Sequence, residues 1–199
     1  MSYKTIVTPE ALLCFPSLFE PKGFENSERK TYNCVLVFPK GTDLTALKTI
    51  AKEALAEKFP SGAKSARSPF RDGNEKVDEW GEHFRDATYI RASSNVKPGI
   101  ADRARRLVTD PDAVYAGQFV KAAVHAYGYD TKGNRGVSFG LDAVQLVRDG
   151  DPLSGGGKAA INLFECLDED PFAEKPATPA TPAAQPAAAP DVDDPFGDF

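Results

Sequence analysis

The sequence predicts a mainly β fold, a small antiparallel barrel with one inserted amphipathic helix and short helical turns, followed by a disordered acidic C-terminal tail. Three observations carry this. Short β-rich runs bounded by Pro and Gly recur from residue 3 to residue 148, only the stretch 42–59 has a helical apolar period, and residues 176–190 contain nothing but Pro, Ala, Thr and Gln. At 199 residues and 41% hydrophobic, the chain has material for one sizeable core. The expected organisation is a folded body over 1–153 and a flexible Gly- and Ala/Pro-rich linker with an acidic tail over 154–199.

The elements follow in order. Residues 3–15 and 31–39 read as strands, and the Phe15–Lys30 stretch between them as a loop or irregular hairpin arm. Thr42 and Asp43 open a helix that runs to about Phe59, with Leu44, Leu47, Ile50, Ala51, Ala54, Leu55 and Phe59 on one face and Pro60-Ser61-Gly62 as its stop. Residues 61–86 are polar and irregular, 87–93 reads as a strand, and 98–109 as a short helix or turn. Two long strands, 114–129 and 136–148, are joined by a Gly- and Asn-containing hairpin loop. Gly155-Gly156-Gly157 then begins the exit from the body. About five strands with one inserted helix point to the oligonucleotide-binding (OB) barrel, a small antiparallel barrel whose strand face and loops bind single strands.

Charge is divided along the chain. Residues 168–199 carry eight acids against Lys175 alone, a net −7, so the remaining 21 acids and 23 bases leave the body at +2. A mildly basic body suits an anionic ligand, and an acidic tail can imitate one. Cys14, Cys34 and Cys166 are widely spaced with no C-x-x-C, as expected of reduced thiols in a cytoplasmic protein. No apolar run approaches the length of a membrane span, so no membrane partner is expected.

Strand alternation gives the sharpest functional signal. Over 114–129 the even positions are small and mostly apolar, whereas Tyr115, Phe119, Lys121, His125, Tyr127 and Tyr129 share the odd face. Residues 87–93 repeat this, with Tyr89 and Arg91 on one side. Rings interleaved with cations suit single-stranded nucleic acid, because bases stack on the rings and cations follow the phosphates. The expected binding residues are therefore Tyr89, Tyr127, Tyr129 and Phe70, or Trp80, for stacking. Arg71, Arg91, Lys97, Lys121, Lys132 and Arg135 are expected at phosphates.

Catalytic signatures are not found. His83 and His125 belong to no metal-ligand cluster. Gly157-Lys158 fails as a phosphate loop, since Pro152 stands where the first glycine is required and Ala159 where a Ser or Thr would hold magnesium. No enzyme activity, cofactor or metal is expected.

The runs Ala87-Thr88-Tyr89-Ile90-Arg91-Ala92-Ser93-Ser94, Lys97-Pro98-Gly99, Asp110-Pro111, Val114-Tyr115-Ala116-Gly117 and Gly136-Val137-Ser138-Phe139-Gly140-Leu141, with Gln145-Leu146-Val147-Arg148-Asp149-Gly150, form an ordered succession. Over most of residues 3–150 it resembles the bacteriophage single-stranded DNA-binding proteins of the DUF2815 family. The resemblance implies an OB barrel that coats single-stranded DNA in phage replication and recombination. The end of the chain, with Asp193, Asp194, Pro195, Phe196, Asp198 and Phe199, is similar to the acidic, phenylalanine-terminated tails of single-stranded DNA-binding proteins, and Asp170-Pro171-Phe172 echoes it. That likeness implies a tail that modulates DNA binding and recruits replication or recombination proteins. A homodimer stays open at this level, as do a protein-interaction module, an RNA-binding or strand-annealing protein, and binding to duplex DNA.

Overall fold

The computed structural model describes residues 4–23, 30–62, 66–131 and 134–153. The tail positions Asp193, Asp194, Pro195, Phe196, Asp198 and Phe199, and Lys132 at the hairpin tip, lie outside the described residues.

The order is β1 (Thr5–Val7), β2 (Ala11–Gly23), β3 (Lys30–Pro39), α1 (Thr45–Lys58), β4 (Phe70–Asp72), the single-turn helix α2 (Val77–Trp80), β5 (Ala87–Ser94), β6 (Gly99–Ala101), β7 (Phe119–Thr131) and β8 (Asn134–Arg148), with 3-10 turns at Gly73–Lys76, Glu82–Phe84 and Pro111–Ala113. Strands β2, β3, β5, β8 and β7 pair in that sequence, and β7 returns to β2. Every pairing in the circuit is antiparallel except β5 with β8, where Ala92 faces Phe139 and Ser93 faces Gly140 in parallel. This closed five-stranded circuit is the expected OB barrel. The short strands β1, β4 and β6 extend it at β7, β5 and β8.

Inward residues fill the barrel as the alternation predicts: Val120, Ala122, Val124 and Ala126 of β7 meet Leu13, Leu36, Ile90, Ala92, Phe139 and Leu141 in one core. Helix α1 adds Leu47, Ile50, Ala51 and Ala54 to that core. Its start is set by Asp43, whose carboxylate accepts from the Thr45 amide at 2.9 Å. Gly128 lets the helix lie directly on β7, since a Cβ there would stand 2.5 Å from the Cβ of Lys58.

Several boundaries differ from the sequence reading. The first expected strand is two, β1 and β2, separated at 8–10, and β2 continues to Gly23 through two shifts of register. The 98–109 region opens with strand β6 rather than a helix, and its turn is held by Asp102, whose carboxylate accepts from the amides of Ala104 and Arg106. Strand β7 begins at Phe119, not at 114, because Gly117 takes φ +111° and breaks the extended run. Tyr115 is therefore not on the β7 face.

Candidate nucleic-acid interface

The outer face of β3 and β5 is built by register: Asn33 opposite Ser93, Val35 opposite Arg91, Val37 opposite Tyr89. Its two ends differ. Toward Val37 and Ala87 it is roofed by the segment 73–84, which buries Phe84 and Tyr89 in a second apolar cluster with Cys14, Val35 and Val37. Trp80, Phe84 and Tyr89 meet edge to face in a triangle of ring centroids 5.2–5.5 Å apart. The roof is pinned. Gly73 sits so close to the chain that a Cβ would lie 2.2 Å from the Phe84 carbonyl oxygen. Asp72 accepts from the Asn74 amide at 2.9 Å, and the Asn74 side chain accepts from the Asp86 amide at 3.0 Å.

Toward Asn33 and Arg91 the same face is open and forms a groove of about 640 Å³. One wall is Phe15 with Trp80, in edge-to-face contact at 5.2 Å. Phe15 is 50% exposed and takes φ +48°, where β2 slips register between Cys14 and Ser17. A bulky residue in the left-handed region costs roughly 1–3 kcal/mol and is held there only by its surroundings. The opposite wall is Val114–Ala116. Tyr115 donates its hydroxyl to the Gly150 carbonyl at 3.1 Å and to Asp149 at 3.3 Å. Its amide donates to the buried Gln118 side chain, which itself donates to the Ala113 carbonyl and to Asp149. Burial, then the Asp149 charge, raises the Tyr115 phenol above its ordinary value.

The groove is cationic. Lys22 and Arg91 line it beside His83, and no Asp or Glu is among the described residues that line it. Arg91 donates to the Asn33 side-chain oxygen at 3.4 Å. Half-burial first, and the like charge of Arg71 second, pull its guanidinium below the usual range. An incoming anion offsets both effects. Burial also holds His83 below the usual imidazole value, which favours its uncharged form. Beneath the groove, burial pushes the thiols of Cys14 and Cys34 up to about 12, which removes their nucleophilicity at neutral pH.

The sequence-derived residues therefore divide. Arg91 lies in the groove, and Arg71 stands on β4 opposite Tyr89, close enough to perturb Arg91. Lys97 is exposed, with its ammonium 5.0 Å from the Phe19 ring centre. Of the expected stacking rings Tyr89 is corrected, while Phe70 is half-buried and lines two surface cavities. Tyr89 is only 4% exposed, because the 73–84 roof covers it. Phe70 points inward and packs on Phe139 at 5.7 Å, since it pairs with the inward-facing Ile90. Arg135 stands opposite Asp130 on the helix-facing side of the β7–β8 hairpin, its guanidinium 5.9 Å from the Phe59 ring centre, whereas Lys121, Tyr127 and Tyr129 share the outer face; none of the four lines the groove. There Tyr129 lies over Gly136 and His125 over Gly140, where a Cβ would stand 2.7 and 2.2 Å from the respective side chains. His125 pairs with Asp142, and Arg135 with Asp130 at 2.9 Å.

Phe15, Lys22, Asn33 and Tyr115 were not assigned from sequence. The signal available for Phe15 was a phenylalanine inside a Pro-interrupted strand, a cue to a bulge but not to its direction.

The comparisons with known proteins agree with this fold. The structure superposes on the single-stranded DNA-binding protein of bacteriophage Enc34 in complex with ssDNA with a TM-score of 0.65, at 20% identity, over 75% of this chain and 89% of that one. Gp2.5, a single-stranded DNA-binding protein encoded by bacteriophage T7, shares the fold at a TM-score of 0.57 and 16% identity, over 78% of this chain and 97% of that one. In sequence, putative protein p50 of Acyrthosiphon pisum secondary endosymbiont phage 1 is 34% identical over 170 residues, 78% of this chain and 89% of that protein. The model of the family described as Enterobacter phage Enc34, ssDNA-binding protein, matches residues 4–173. The chain accordingly belongs to that family of phage ssDNA-binding proteins.

Proposed function

We propose that this protein binds single-stranded DNA, without sequence preference and without catalysis, in the groove over β3 and β5. The observation that carries the reading is the composition of that groove: exposed Phe15 paired with Trp80, and Lys22 and Arg91 with no carboxylate among the described lining residues. Bases stack on Phe15 and Trp80, each such contact supplying about 1–3 kcal/mol. Lys22, Arg91 and Arg71 meet phosphates there. The hairpin face with Lys121, Tyr127 and Tyr129 is a second stretch for the strand to follow, and Lys132 and Arg135 are proposed as further phosphate contacts. Duplex DNA gains little here, because its bases are already stacked.

Within a phage, such a protein protects single strands during replication, recombination and repair. Its acidic end, Asp193 to Phe199, modulates DNA binding by competing with phosphates and recruits replication proteins through Phe199. Trp80 is the chain's single tryptophan, so titration with oligo-dT reads the groove directly. Quenching of Trp80 emission that weakens with salt is expected, and both Phe15→Ala and Arg91→Gln should reduce affinity about tenfold or more. If Tyr127→Ala and Tyr129→Ala abolish binding while the groove variants do not, the hairpin is the site and the groove reading is wrong.

A further inference from the structure

The groove does not end at the β2 arm. A smaller cavity of about 210 Å³ adjoins it and shares Pro16, Ser17, Lys22 and Val114 with it, so one wall serves both. Phe19, Glu20 and Pro111 complete the smaller cavity. Above Phe19 stands Lys97, whose ammonium lies 5.0 Å from the ring centre. Next to it Val96 is 75% exposed.

From this juxtaposition we infer an exit subsite for one further nucleotide of the bound strand, with Phe19 as its base platform and Lys97 as its phosphate contact. The inference rests on the DNA reading of the main groove. Phe19 is half-buried and packed on the core, so its ring is fixed in place. In the free protein the Lys97 ammonium covers the ring by a cation–π contact, which is weak at an exposed position. A base arriving on that face displaces the ammonium. The lysine stem needs only a rotamer change to follow, and a phosphate attached to the same base gives it a stronger partner. The exchange leaves no cation unpaired and no ring uncovered. Glu20 is the one carboxylate among the described residues of the cavity, and it disfavours a phosphate on its own side, which directs the backbone toward Lys97. The strand then crosses the β2 arm at Pro16–Lys22 and reaches Phe19 only after filling the main groove. The subsite therefore acts on long strands and not on short ones.

The test is the length dependence of affinity for oligo-dT of about four and about ten nucleotides, read by Trp80 quenching, for the full chain and its Lys97→Glu and Phe19→Ala variants. The wild type should gain strongly with length. Both variants should match it on the short strand and fall about tenfold behind on the long one. Lys97→Glu changes only an exposed side chain, so it keeps the test valid if Phe19→Ala melts early. Equal losses at both lengths would place these residues in the main groove or the fold and overturn the exit subsite. Variants that equal the wild type at both lengths would overturn it as well, as would a wild type with no length gain. Absence of Trp80 quenching with any strand defeats the groove reading itself, and is thereby distinguished from failure of the subsite alone.

Discussion

Phe15 holds a backbone conformation that suits glycine, and it does so on the open wall of the groove. Strain of this kind survives where a side chain must be aimed in a direction that a regular strand cannot give. Two substitutions separate the ring from the strain. Phe15→Ala and Phe15→Gly should both weaken DNA binding, but the glycine variant should be more stable than the alanine variant by about 1 kcal/mol in urea titration, because only glycine adopts φ +48° without cost. His83 supplies the pH dependence. Its folded-state value lies below its unfolded one, so the folded protein binds that proton less readily. The stability it contributes is complete above the ordinary imidazole value of 6.5 and is lost as pH falls through 6.5 toward the lowered value. DNA phosphates act in the opposite direction and favour the imidazolium. Urea midpoints between pH 7.5 and pH 5 should therefore fall more for the wild type than for His83→Asn, while oligo-dT affinity should rise more steeply on acidification for the wild type.

At the scale of elements, the turn before β7 is the least tolerant part of the site. A Cβ at Gly117 would stand 1.9 Å from the Asp151 carbonyl oxygen, in a backbone of φ +111°. Gly117→Ala should therefore cost more than about 2 kcal/mol and release the Tyr115 wall, visible as a lower melting temperature together with weakened binding. This turn also shows what the sequence leaves illegible. Alternation from Val114 to Gly128 is formally unbroken, so Gly117 passes for a neutral small residue. Its positive φ comes from the returning chain at Asp149–Leu153, a contact that no local pattern encodes. Alternation did locate Val120, Ala122, Val124 and Ala126 inside the barrel, since an inward residue is dictated by period alone. It failed at Tyr89, correctly placed on the outer face but roofed by a segment some ten residues upstream whose docking is tertiary. Arg91, two residues further along the same strand, escapes the roof and was legible for that reason.

For the whole molecule, the division of charge governs behaviour in salt. A body of +2 and a terminal segment of −7 place phosphate mimics on the same chain as phosphate sites. A protein ending at Cys166 should bind oligo-dT more tightly than the full chain, and the difference should shrink as ionic strength rises and screening shortens its reach. For Arg91→Gln the slope of log affinity against log salt should flatten by about 0.7, the change expected when one phosphate contact on a single strand is lost.

The barrel is joined along long antiparallel ladders except at two places: β2 meets β7 through Ala11–Val120 and Leu12–Phe119 only, and β5 meets β8, in parallel, through Ala92–Phe139 and Ser93–Gly140 only. Each short junction brings together residues far apart in the chain, whereas the β7–β8 hairpin is local, so ring closure is the late step of folding and the first to reverse. The amide protons of the β5–β8 junction should exchange with deuterium by a partial opening well below the energy of global unfolding. Because β5 also carries Arg91, a strand seated in the groove bridges this hinge line on one side. DNA binding would then register as slowed exchange at Ala92 and Ser93, and the clasp of the barrel would be tightened by the ligand it holds.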